Sequence, residues 1–247
     1  MLENQLIQFT GSIDPLKAEV AMQTREGDTI RFFFFNYYKN ENVEVDIVTP
    51  SGEVMPVSIR KRIVDKTIDG CILIELSYSG LANRELYRIR LTDEDGMFNY
   101  SNLMINDLDA RLSEVEFMCY DYAFDIPFGK GNSDEQYLIQ PMPINLHSPQ
   151  YKQKDKIYTK RNGEQVVLYA NITKEYEGET DYIPMEWHEK ILMALSCDEV
   201  YINGERVTKS NTYEIDHENV TYTDCGIKLM RATFKVTKNV TQRNSNY

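Results

Sequence analysis

Apolar positions recur along this chain mostly with a period of two. Residues 29–38, TIRFFFFNYY, are a run of β-formers. Its four consecutive phenylalanines are too apolar for an exposed edge, so either both faces are covered or one is an interface. Val43, Val45 and Ile47 alternate with Glu44 and Asp46, and Pro50-Ser51-Gly52 then turns the chain towards a strand at 54–59. CILIEL at 71–76 reads as a central strand. Tyr87, Ile89 and Leu91 alternate with Arg88 and Arg90, and Asp93-Glu94-Asp95-Gly96 closes a further hairpin. Turn signals at such short intervals predict a β-sandwich over residues 1–112.

A second β-rich lobe is expected over residues 113–247. Val115, Phe117 and Cys119 alternate with Glu116 and Met118, and 127–133, PFGKGNS, reads as a long polar loop. Pro141 and Pro143 make 137–144 an edge or irregular strand. Residues 148–155, SPQYKQKD, read as an exposed connection, 165–172 as a strand, 227–236 as the last strand, and the tail from Asn239 as polar and extended.

One segment changes period. Trp187, Ile191 and Leu195 lie four residues apart and Leu192 widens the stripe, which predicts an amphipathic helix near 184–197. Pro184 suits a first helical position and Asp181 a cap. Val200 and Ile202 then restore alternation before Asn203-Gly204, the dipeptide favoured by type I′ turns. The expected fold is mainly β: an N-terminal sandwich, then a β-rich lobe with one helix across its sheet.

Charge narrows the function classes. With 27 basic and 39 acidic residues the formal net charge is −12, and the densest basic run, Arg60-Lys61-Arg62, is offset by Asp65 and Asp69. No basic stripe for gripping nucleic acid is visible, so no specific nucleic-acid binding is expected. No apolar run could span a bilayer, and the N-terminus lacks the regions of a signal peptide. Cys71, Cys119, Cys197 and Cys225 form no C-x-x-C pair and read as free thiols, mostly buried, of a protein made in a cytoplasm.

Catalytic motifs fail on spacing. In Trp187-His188-Glu189-Lys190 the second histidine of H-E-x-x-H is replaced by Leu192, so His188 reads as a packing or helix-surface residue. His147 and His217 stand alone. An EF-hand reading of Asp93–Gly96 puts glycine fourth and Met104 in the place of the bidentate glutamate. Gly129-Lys130-Gly131-Asn132 lacks the ending of a phosphate loop, and no G-x-S-x-G occurs. No catalytic, cofactor-binding or metal-binding residue is nominated, no cofactor is expected, and an enzyme is the last choice.

Three stretches carry a resemblance: Tyr176-Glu177-Gly178-Glu179-Thr180-Asp181-Tyr182, Glu186-Trp187-His188-Glu189-Lys190, and 198–204, with RNGEQVVLY at 161–169 and the closing TFKVTKNVTQRNSNY. Together, over residues 113–247, they look like a module of tail structural proteins in crAss-like phages of Bacteroides. The Gly27-Asp28-Thr29 start of the first part is weakly similar to upper-baseplate β-sandwich domains. The resemblance implies a virion protein of the tail, a subunit of a closed ring stacked below the portal around the DNA passage. It further implies portal and neighbouring ring proteins as partners, a dodecamer if portal symmetry is matched, a head-tail connector role and no catalytic residues. The rival expectation is a carbohydrate-binding or receptor-binding adhesin of a baseplate, using tyrosines around 120–128 as a platform.

Overall fold

The alternating segments fold as short antiparallel strands. The structure, a computed structural model, describes residues 7–14, 18–35, 42–68, 71–120 and 137–244. In the first part the strands are β1 (Phe9–Thr10), β2 (Met22–Thr24), β3 (Ile30–Phe35), β4 (Glu44–Val48), β5 (Ser58–Ile68), β6 (Cys71–Ser79), β7 (Glu85–Thr92), β8 (Phe98–Ser101) and β9 (Met104–Asn106). There follow β10 (Ser113–Met118), β11 (Leu138–Met142), β12 (Ile144–Leu146), β13 (Gln150–Thr159), β14 (Gln165–Thr180) and the helix α1 (Met185–Ala194). The chain ends in β15 (Glu199–Ile202), β16 (Glu205–Ile215), β17 (Thr221–Tyr222), β18 (Lys228–Leu229) and β19 (Ala232–Asn244).

These strands build two main sheets in a sandwich-like arrangement. A six-stranded sheet runs β1-β8-β7-β9-β2, with β4 also on β7, and its one parallel pair is β2 with β9. An eleven-stranded sheet runs β12-β14-β19-β16-β15-β10-β11-β3-β6-β5, with β13 also on β14. β17 and β18 form a separate two-stranded ribbon. The large sheet passes from the first part of the chain to the second where Ile139 of β11 pairs with Arg31 of β3. One hydrophobic core holds residues from both sides of position 112, among them Phe32, Leu73, Tyr87, Phe117, Trp187 and Phe234.

The phenylalanine run takes the first of its two alternatives as far as Phe34, with both faces covered. Phe32, Phe33 and Phe34 are all buried, and the Phe9 ring of β1 meets Phe32 at 5.0 Å and Phe34 at 5.8 Å across the two sheets. Burying each such ring contributes roughly 1.5–3 kcal/mol. A closed triangle of hydroxyls also joins the layers. Tyr78 of β6 donates to Thr24 of β2 at 2.9 Å, Tyr87 of β7 donates to Tyr78 at 2.8 Å, and Thr24 lies 2.7 Å from the Tyr87 oxygen. Each buried hydroxyl therefore keeps a partner, which removes the cost of taking it out of water.

α1 begins at Pro184, which is the N-cap residue rather than the first helical one, and it has no side-chain cap. Asp181, expected as that cap, instead donates its backbone N–H to Pro143 O at 3.0 Å. Trp187, Ile191, Ala194 and Leu195 face the core, whereas Leu192 is only half-buried and His188 and Lys190 are buried in its place. The turn after β15 is as expected, with Asn203 at φ 52 and Gly204 at φ 75.

Several strand boundaries differ from the sequence pattern. The exposed connection at 148–155 is largely strand β13, β14 continues to Thr180, and the last strand runs from Ala232 to Asn244. The strand expected at 54–59 lies at β5, and Val54 makes only an isolated bridge with Val48. β11 is interior and not an edge, but among the described residues its ladder with β3 is the single pair Ile139–Arg31. Pro141 follows two residues later, and its missing N–H is tolerated where that ladder has ended. The polar loop at 127–133 lies outside the described residues.

Gly178 of β14 pairs directly with Phe234 of β19, and a Cβ at Gly178 would lie 2.4 Å from that buried ring. Tyr213 stacks on the same ring at 5.9 Å and restricts its retreat. Gly178→Ala should therefore destabilise the protein by about 1–3 kcal/mol, the usual cost of overpacking. Urea unfolding measures it, and an unchanged midpoint would show that the ring is free to move.

Candidate functional site

The least buried part of the fold is an arm. All ten residues of β13 are exposed, so neither of its faces is covered. Among the described residues β13 has β14 as its only ladder partner, from Gln150–Glu175 out to Thr159–Gln165, and a turn at 160–164 closes the hairpin. β14 continues on its other side into β19 up to Tyr169–Asn244. The C-terminal segment expected as an extended tail is thus the third strand of this arm as far as Asn244. Tyr151, Ile157 and Tyr158 stand on β13 at 64%, 54% and 54% exposure, an apolar content that solvent does not favour.

A second cluster gathers where the chain enters and leaves 121–136, a segment outside the described residues. Tyr120 precedes it and Tyr137 follows it, and both phenols donate to Glu199 of β15, Tyr120 at 2.6 Å to Oε1 and Tyr137 to Oε2. Tyr201 reaches Oε2 at 3.5 Å and Arg206 pairs with Oε1 at 3.3 Å. The Tyr120 N–H donates to Asp198 Oδ2 at 2.9 Å. The Tyr120 hydrogen bond, with that of Tyr137, holds the Glu199 carboxyl below its ordinary range, and burial pushes the Tyr137 phenol up. Glu199 is therefore an ionised anchor whose two oxygens already hold partners. Of the tyrosines expected as a platform around 120–128, only Tyr120 lies among the described residues, and it is 54% exposed.

The histidines form no metal-ligand set among the described residues. His147 is half exposed, 3.9 Å from Glu179, while His188 is buried on α1. Among the described residues no group of three or more His, Cys, Asp or Glu is placed to hold a metal ion. Cys71 and Cys119 are buried free thiols, Cys197 is half-buried, and Cys225 is exposed in a turn. A polar cleft of about 360 Å³ brings Arg84, Arg111 and Arg231 against four carboxylates, and Arg231 lies 3.8 Å from Asp181. Its charges compensate one another, so it favours no ligand of one sign. No helix among the described residues is long and apolar enough to cross a membrane.

Comparison with known proteins adds no relative: no family model, curated protein or solved structure matches the chain.

His188 shows what sequence spacing could not reveal. Its Nε2 lies 3.1 Å from Met230 O, which can only accept, so Nε2 carries the proton. Nδ1, 2.9 Å from Tyr213 Oη, then accepts from that phenol, whose own ionisation burial pushes up. Both ring nitrogens are satisfied in the neutral form, and burial holds the imidazole below its ordinary value of 6.5. The unfolded chain takes up this proton first, so the contribution of His188 is complete above about pH 6.5 and declines as pH falls towards the folded value. His188→Gln should lower stability at pH 7.5 and flatten its fall between pH 7.5 and 5.5. Denaturant midpoints at the two pH values check this, and an identical slope in the variant would contradict it.

Proposed function

We propose that this protein is a virion structural protein, a subunit of an oligomeric ring in a phage tail, stacked below the portal and surrounding the DNA passage. The observation that carries the reading is β13, exposed at every position along ten residues. A strand uncovered on both faces gains little burial within its own chain, and contact with neighbouring subunits supplies what is missing. The resemblance of residues 113–247 to tail modules of crAss-like phages supports the tail as the place of assembly. The net charge of −12 suits a wall past which DNA slides without sticking. In this reading the protein has no catalytic step, and its partners are further copies of itself, the portal and the adjoining rings.

A second reading, an adhesin that binds a host glycan, draws on the exposed ring of Tyr120. The phenols of Tyr120, Tyr137 and Tyr201 all bind Glu199, and among these three described rings Tyr120 alone is exposed.

Mass measurement across a concentration series, with and without the portal, tests the ring. The expected result is one large closed oligomer, and in it carboxylates enriched on the inward surface. A monomer under all these conditions would overturn the ring reading, and a discrete trimer that binds glycans would favour the adhesin.

A further inference from the structure

The β13–β14 hairpin carries charge of the opposite sign to the remainder of the chain. Residues 150–175 hold six basic and three acidic side chains, a net of +3, which leaves −15 for the rest of a protein whose total is −12. Lys152, Lys154 and Lys156 alternate along β13 and so share one face, about 6.6–6.8 Å apart at each step. Lys152 pairs with Glu175 at 2.6 Å, while Lys154 and Lys156 have no carboxylate partner among the described residues. Tyr158 lies on the lysine face, with Tyr151 and Ile157 on the other. Such a surface fits a partner that is acidic and also offers apolar side chains.

The turn between β7 and β8 has that composition. Asp93, Glu94 and Asp95 are followed by Met97 and Phe98, which are 64% and 43% exposed. Asp93 Oδ1 accepts from the Asp95 and Met97 N–H groups at 3.1 and 2.8 Å, so it shapes the turn. Glu94, which accepts from Asn42 Nδ2 at 3.1 Å, and Asp95 stand on the outside of that turn, both exposed. Phe98 is held by the Arg90 guanidinium 4.8 Å from its ring. The turn is thus preorganised, with charge and apolar area side by side.

We propose that the lysine face of β13 in one copy docks on the Asp93–Phe98 turn of a second copy. This deepens the ring reading and rests on it for the presence of further copies. Two different patches meet, so the contact is head-to-tail, the type that closes into a ring when the rotation allows. Opposite charge sets orientation and encounter rate, and Tyr158 against Met97 and Phe98 supplies the apolar anchor. A nucleic acid is the less favoured partner of the lysines, because any long polyanion would also meet the strongly acidic body.

A zero-length carbodiimide, which joins an amine to a carboxylate only in contact, tests this on a mixture of ¹⁵N-labelled and unlabelled full-length protein. Mixed-isotope links from Lys152, Lys154 or Lys156 to Glu94 or Asp95 are expected. K152E/K154E/K156E and E94K/D95K should each lose assembly while keeping the circular dichroism of the parent, since every substituted residue is exposed. Mixing the two variants should restore assembly. Oligomers that persist in both variants, without links between arm and turn, would overturn the docking and leave the ring standing. A wild-type protein that never assembles, with or without portal, overturns both. A monomer whose arm lysines instead retain duplex DNA would replace the second copy with a phosphate partner.

Discussion

The fold depends on one strand being buried on both faces and joined at both edges. β3 lies between β6 and β11 in the large sheet, and Phe32, Phe33 and Phe34 are buried although they point to alternate faces. Phe32 and Phe34 meet Phe9 and so fasten the six-stranded sheet. Arg31, on the alternate face, pairs with Glu75 of β6 through Nε and Oε2 at 3.1 Å, and its backbone position carries the ladder contact with β11 found among the described residues. Loss of that burial would separate the layers and also the first part of the chain from the strands after Ser113.

What the long sheet does follows from its ends. β5 forms one end and brings Arg60, Lys61 and Arg62, while β13 stands at the other with Lys152, Lys154 and Lys156. Charged residues on edge strands discourage pairing between copies, and here both ends carry the same sign. Edge-to-edge growth is therefore opposed, whereas docking of an arm on an acidic surface is favoured. The Glu199 anchor adds a rigid base at the other exposed feature, because one carboxylate holds Tyr120 and Tyr137 on either side of 121–136.

The sequence was legible where a residue's own neighbours decide its structure. Trp187, Ile191 and Leu195 showed the helix through their spacing, and Asn203-Gly204 showed the turn because few residues accept positive φ at both positions. β13 was missed for a physical reason. Alternation arises when one face is buried and the other is wet, and a strand exposed on both faces has no such pattern. The continuity of the sheet through Ile139 and Arg31, and the partners of His188 at Tyr213 and Met230, depend on residues distant in sequence. Glu199 gave no signal either, since one glutamate among so many carboxylates becomes distinct only when three tyrosines converge on it.

Hydrogen exchange on isolated and assembled protein tests the central claim, a two-sided buried strand at the middle of a sheet whose far end is uncovered until copies meet. The amides of 30–35 should exchange at the slowest rates in both forms. Those of 150–159 should exchange fast in the isolated protein and gain protection on assembly. Slow exchange of 150–159 in the isolated protein, or protection gained elsewhere while that strand stays fast, would contradict the account.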